Sequence, residues 1–223
     1  MNLRTVAGSR RSCRIRISWP AIFLKAYGLT AVRFPQLRQT WYCWPWAHLY
    51  QNPVSVGMLT IQRCVDDEPW LFWGRFNEPE NRSLADIQRV LDGYCTQPVH
   101  LIFSRQWQLA RVPTALRRMI WWWNIHIAAG ARAKRLGTFF LSTLAGRGAE
   151  IQIPPAIQTG CLTFGPLDEQ GCCRVTLAYD HRVMDGALVA DVLQDLEATL
   201  NSVIAEELAA LPVPTEPASG ADS

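Results

Sequence analysis

The strongest constraint in this 223-residue chain lies near its C-terminal end. Leu188, Val192, Leu193, Leu196, Leu200 and Ile204 recur at helical spacing, which predicts a long helix with one buried stripe. Just before them Cys173–Tyr179 reads as a strand, and the string Tyr179-Asp-His-Arg-Val-Met-Asp-Gly186 joins the two. A strand turning directly into a long helix points to an α/β domain, with a histidine held at the strand end.

Hydrophobic residues make up 49% of the chain and charged residues 18%, enough to exclude a disordered chain and to supply one sizeable core. No apolar run reaches the roughly 18–20 residues of a membrane span. The net charge of +3 averages unlike parts. Residues 1–65 hold nine basic groups and no acid, Asp66 being the first carboxylate. A second acid-free stretch, Gly93 to Ala149, holds eight basic groups. Such blocks suit phosphate-bearing ligands or anionic membrane surfaces, or form a plain solvated face. No recognised nucleic-acid module accompanies them, so no nucleic-acid partner is expected. Seven cysteines at irregular spacing include no C-x-x-C pair, which predicts reduced thiols, no metal and a cytoplasmic protein. The basic N-terminus lacks the apolar stretch of a signal peptide.

Along the chain, Cys13–Ser18 alternates charged and apolar residues like an edge strand. Trp19–Phe34 predicts a buried helix with Pro20 in its first turn and Pro35 ending it. Trp41 to Tyr50 is aromatic, proline-broken and expected to be irregular. Val54–Gln62, Trp70–Phe76, Gly137–Leu144 and Ala156–Phe164 are expected strands. Ser83 is placed to cap a helix with Asp86 in its first turn, and Gly93 to end it. The stretch Leu109–Ile127 is expected to be helical after Pro113. The boundaries read as a basic segment over 1–14, one α/β domain over 15–210 and a disordered tail over 211–223.

The chemistry concentrates in the joining string. A neutral imidazole at a rigid strand end is a competent general base, which makes His181 the first candidate. Asp185 is placed to brace the turn by an ion pair or a cap, and Gly186 to let it turn without a Cβ clash. Taken alone, a lone histidine such as His181 is more often structural than catalytic. His48, His100 and His126 are scattered and take no role.

The string closely resembles the D-H-R-V-x-D-G-A signature of the 2-oxoacid dehydrogenase acyltransferases, the catalytic domains of dihydrolipoamide acyltransferases, which share a fold with chloramphenicol acetyltransferase. Gly137-Thr-Phe-Phe-Leu-Ser-Thr-Leu144 is similar to that family's G-T-F-T-I-S-N-L strand, and Pro154-Pro-Ala to its N-P-P-Q-A segment. Ser83-Leu-Ala-Asp-Ile87 resembles its S-L-x-E-I helix start, and Ser18–Ala26 with Phe34-Pro-Gln-Leu37 its first helix and ending. The resemblance runs in family order over roughly residues 15–208. It implies a trimeric two-layer α/β sandwich, a mixed sheet covered by helices, with active sites in channels between subunits. Carried over residue by residue, it makes His181 the base, Ser142 the donor to the tetrahedral oxyanion and Asp185 the residue that orders the site. The alternative for Ser142 is a strand serine satisfied by backbone.

No lipoyl domain, with its lysine at a hairpin tip, and no peripheral-subunit-binding domain is read here. The acyl donor implied is therefore acyl-CoA, and the acceptor a small or lipid-like molecule. A trimeric scaffold that recruits other enzymes is the second reading. A condensation-type enzyme of the same superfamily is the third, weakened because Asp180 stands where those enzymes carry a second histidine. The string Leu116-Arg-Arg-Met-Ile-Trp-Trp-Trp-Asn124 departs from the family. It suits a helix at a membrane interface, peripheral on the inner face, or the lining of an acyl channel, or ordinary core packing. Trp41, Trp44 and Trp46 leave the same choices open.

Overall fold

The computed structural model describes residues 1–13, 15–127, 129–154 and 157–211. Residues 212–223, most of the expected disordered tail, and Pro155 and Ala156 of the expected P-P-A segment lie outside the described residues. The elements run α1 (Arg4–Ser12), α2 (Trp19–Arg33), β1 (Gln39–Tyr42), β2 (His48–Gln51), β3 (Val56–Val65) and β4 (Glu68–Asn77). They continue with α3 (Leu84–Thr96), α4 (Val99–Ile102), α5 (Ser104–Ala110), α6 (Thr114–His126) and α7 (Ala129–Leu136). The last are β5 (Phe139–Thr143), β6 (Gly160–Leu167), β7 (Cys173–Tyr179), α8 (Gly186–Thr199), a π-helical turn (Leu200–Ile204) and α9 (Ala205–Ala210).

Five strands form one mixed sheet in the order β4-β3-β5-β6-β7. β3 and β4 are an antiparallel hairpin, β5 lies parallel to both β3 and β6, and β7 closes the other edge antiparallel to β6. The register aligns Leu59 with Leu141, Leu141 with Leu162 and Leu162 with Leu177, a continuous apolar row across four strands. Because side chains alternate along a strand, Met58, Phe140, Ser142 and Thr163 point to the opposite face.

The apolar row is covered by α2, with α3 beside it over β3 and β4 and α8 packed against α2. Phe23 of α2 stacks on Phe164 at 4.2 Å, and Tyr27 stacks on Phe139 at 4.1 Å. This close approach needs Gly57: a Cβ there would stand 2.7 Å from the Phe139 ring and 2.8 Å from Leu24. The helical layer is cross-tied by charge. Lys25, 8% exposed, pairs with Glu207 of α9, whose other oxygen accepts the Leu84 N–H at 2.8 Å and so caps α3. Arg33 forks onto Asp195 of α8 at 2.8 and 2.6 Å.

Most expected elements are present, with four corrections. No strand forms over Cys13–Ser18 among the described residues. Instead α1 precedes it and docks on α9, burying Leu3 and Val6. The segment 41–50 is not irregular: β1 and β2 pair antiparallel there, Trp41 facing Leu49 and Tyr42 facing His48. Gly93 does not end α3, which continues to Thr96 because Leu91 and Tyr94 still pack toward the sheet. The strand expected from Ala156 begins at Gly160. The expected cap is formed: Asp86 N–H donates to Ser83 Oγ at 3.1 Å, and Ser83 Oγ donates to the Asp86 carboxylate at 2.7 Å.

The stretch after α3 wraps around the open edge of the sheet. Phe103 stacks on Phe72 at 4.6 Å, on the α3 side. Gln106 then satisfies the β4 edge, its amide oxygen accepting from Trp73 N at 3.0 Å and its amide nitrogen donating to Trp73 O at 2.8 Å. α6 and α7 return on the opposite face, where Trp121 meets Trp73 edge-on at 5.6 Å. An unpaired edge strand is a template for aggregation, and this wrap covers it.

Candidate active site

The turn from β7 into α8 is fixed from several sides. Asp180 N donates to Thr159 O at 2.9 Å, and Asp180 O accepts from Val183 N at 2.9 Å and Met184 N at 3.1 Å. The Asp180 carboxylate receives the Arg182 guanidinium as a fork, at 2.8 and 2.6 Å, and the Arg182 N–H at 3.1 Å. The hydrogen bonds from Arg182 hold the Asp180 carboxyl below the usual carboxylate range. Met184, 2% exposed, anchors the turn in the core. Asp185 then caps α8, accepting the Leu188 N–H at 2.8 Å. Gly186 is not required sterically: a Cβ there would meet Tyr179 Oη at an ordinary 3.7 Å.

His181 projects from this brace into solvent, its ring 5.7 Å from that of Tyr179. Next to it, Arg182 lies 6.0 Å from the centre of the Trp41 ring. The β1–β2 hairpin therefore borders the same corner. Its base is tied down by Arg132, whose guanidinium sits over Tyr42 at 5.3 Å and donates to Ile125 O and Ile157 O.

Ser142 sits on β5, opposite Thr163. The strand is launched by Gly137 in the left-handed region at φ 80°, where a Cβ would also stand 2.9 Å from Val56 O. Thr138 then locks it to β3, accepting from Val56 N at 2.9 Å. The neighbouring Thr143 hydroxyl donates to Phe164 O at 2.8 Å, whereas the half-buried Ser142 hydroxyl makes no hydrogen bond among the described residues.

Within one chain the two groups do not meet. Ser142 is level with Thr163, which is level with Thr176 of β7, two strands away. Tyr179 lies three residues further, roughly 10 Å along the sheet, and His181 beyond it. His181 and Asp185 share the turn. The Asp180–Arg182 fork and its contact with Trp41 were missed by sequence reasoning. An acid and a base two residues apart around a histidine were the available signal. Among the described residues no three His, Cys, Asp or Glu side chains group as metal ligands, and no helix is long and apolar enough to cross a membrane.

No protein-family model matches the sequence, and no curated protein does. Solved structures do match. A probable dihydrolipoamide acetyltransferase from Listeria monocytogenes 4b F2365 aligns at a TM-score of 0.55 and 16% identity, covering 92% of this chain and 77% of that one. A truncated catalytic core of the 2-oxoacid dehydrogenase multienzyme complex from Thermoplasma acidophilum aligns at 0.62 and 12% identity, covering 90% and 83%. The dihydrolipoamide acetyltransferase of Azotobacter vinelandii aligns at 0.53 and 16% identity, covering 91% and 75%. In that enzyme a serine, a histidine and an asparagine four residues after the histidine were investigated for their role in the catalytic mechanism. At these identities the likeness shows the fold. This chain has the α/β fold of the 2-oxoacid dehydrogenase acyltransferase catalytic cores, a mixed five-stranded sheet with its helices.

Proposed function

We propose that this chain is an acyltransferase that moves an acyl group from acyl-CoA to a hydroxyl, thiol or amine acceptor. The single observation that carries the proposal is the pairing of an exposed imidazole on a cross-braced turn with an uncommitted hydroxyl on the outer sheet face. His181 is the general base. It takes the proton of the acceptor as the acceptor's heteroatom attacks the thioester carbonyl. The carbonyl oxygen becomes an oxyanion, and Ser142 Oγ donates a hydrogen bond to it. Collapse of the tetrahedral species breaks the carbon–sulfur bond, and the CoA thiolate recovers the proton from the His181 imidazolium. Asp185 is a positioning residue: its cap sets where α8 starts and hence how the turn presents His181. The serine, histidine and asparagine of the Azotobacter enzyme support this assignment, because Asp185 likewise stands four residues after His181.

Two groups so far apart on one sheet act together only across a subunit boundary. The proposal therefore includes a homotrimer in which His181 of one subunit faces Ser142 of the next. The test is CoA release from a panel of acyl-CoA substrates with candidate acceptors. His181→Ala is expected to lower turnover by about 10²–10⁴-fold and Ser142→Ala by about 10²–10³-fold. Turnover by His181→Ala equal to that of the wild type contradicts the assignment.

A further inference from the structure

The wrap around the sheet edge leaves a cavity of about 610 Å³ that extends from Tyr94 and Phe103 at the β4 edge to the outer face of β3 and β4 beside α6 and α7. That lies within the roughly 300–1,000 Å³ of small-ligand sites. Its body is apolar: Met58 and Trp73 form the floor, and Phe103, Ile120, Trp121 and Leu136 the walls. Met58 and Phe103 are each 2% exposed, and Leu136 is buried with them. Every charged side chain that lines it is a cation, Arg75, Arg105, Lys134 or Arg135, beside the neutral polar groups of Tyr94, Ser104, Gln106 and Asn124.

No carboxylate lines the cavity, and none of these four cations forms an ion pair among the described residues. Two of them are held by neutral oxygens: Arg75 donates to Lys134 O at 2.7 Å, and Arg135 donates to the Asn124 side-chain oxygen. The side chains of Arg105 and Lys134 are exposed and make no hydrogen bond among the described residues. The absence of acids from Gly93 to Ala149 means that the segment building the cavity brings no anion of its own. Like charges gathered at one opening repel, and a bound anion relieves that repulsion. The arrangement is an apolar trough with a cationic mouth.

We propose that this cavity binds an anionic amphiphile, with a single apolar chain between Met58, Trp73 and Trp121 and a phosphate or carboxylate head held by Arg105, Lys134 and Arg135. Trp73 also packs edge-on to Phe140 at 6.0 Å, and Phe140 lies two residues before Ser142 on the same face. The bound chain therefore runs along the sheet face that carries Ser142. The proposal concerns binding and stands whether or not the chain turns over a thioester.

The test is titration calorimetry on the purified full chain. The probes are dodecyl phosphate, dodecanoate, dodecyl maltoside and inorganic phosphate, each below its micelle concentration. Both anionic amphiphiles should bind one per chain, the tighter of the two naming the head group. The maltoside and inorganic phosphate should bind about tenfold more weakly or worse, because each satisfies only half of the site. The double variant Arg105→Glu, Lys134→Glu should weaken the anionic probes by about tenfold or more and leave the maltoside unchanged. If that variant does not fold, Arg105→Gln at its exposed position gives the same direction with a smaller shift. Ile120→Trp, which fills the trough, should weaken every dodecyl probe, and His181→Ala should weaken none. Failure of the wild type to bind dodecyl phosphate overturns the proposal. Equal binding of charged and neutral probes, or no effect of charge reversal, overturns it too. So does capture of the chain by anionic vesicles without binding of the monomeric probes, which marks a membrane-facing surface instead.

Discussion

The turn between β7 and α8 and the wrap from Pro98 to Leu136 both border the outer sheet face, but they are held together differently. In the turn every charge has a local partner. Asp180 takes Arg182 as a fork, Asp185 caps a helix, and buried Met184 anchors the loop, so that His181 alone is left uncommitted. In the wrap the cations form no ion pair among the described residues. α6 leaves Met119, Trp122 and Trp123 more than half exposed, at 61%, 51% and 54%. The first arrangement fixes one functional group to a rigid frame. The second covers a sheet edge and keeps apolar and cationic surface available. Chemistry that a whole fold can share suits the first, and recognition of one kind of molecule suits the second.

The contrast can be broken by mutation. Leu196 of α8 is fully buried in the core, and Leu196→Ala is expected to cost about 2–5 kcal/mol. Met119→Ala on α6 is expected to cost about 1 kcal/mol or less because its side chain is 61% exposed. Denaturant midpoints measure both. Equal losses would mean that the wrap is packed like the core and that the contrast fails.

A smaller effect sharpens the role of the turn. Asp185→Ala removes the cap of α8 and should cost about 0.5–2 kcal/mol, whereas Asp185→Asn keeps a capping oxygen and should retain both stability and CoA release. Activity lost in the asparagine variant at full stability would show that the carboxylate charge itself is needed.

The smallest expected effect is a pH dependence. Folding lowers the Asp180 pKa, chiefly through the hydrogen bonds from Arg182, so its contribution to stability is fully present above the unfolded value of about 3.9. That contribution is lost as the pH falls through the lower folded value. The gap in urea midpoint between wild type and Arg182→Gln should therefore narrow between about pH 6 and pH 3. A gap independent of pH would place the worth of Arg182 in its contact with Trp41 instead.

The same contrast explains what the sequence disclosed. The strand–turn–helix was legible because Val192, Leu196 and Leu200 repeat at one period and Asp185 and Gly186 punctuate it. The β5 strand was legible as the apolar run after Gly137, whereas the ties of Gly137 and Thr138 to Val56, some eighty residues away, were not. The β1–β2 hairpin was not, since Trp41 to His48 alternates no clear apolar face and its pairing is set by contacts with Arg132 and Arg182 far along the chain. α1 was hidden for a related reason: three arginines and two serines show no apolar stripe, and the helix is decided by Val6 docking on α9. The basic, aromatic string of α6 was visible as an anomaly. Its place, folded back over the sheet face beside Ser142, follows from the wrap around β4, which no local pattern encodes. For the candidate site, the residue types were legible in the motifs, and a site divided between subunits was expected only through the family resemblance.

That separation makes the central claim directly measurable. His181→Ala and Ser142→Ala chains, each inactive alone, are to be unfolded together in equal amounts, refolded and assayed for CoA release. If each site takes His181 from one subunit and Ser142 from the next in a cyclic trimer, random mixing restores roughly a quarter of wild-type activity. A mixture no more active than the two variants measured separately would contradict a site shared between subunits.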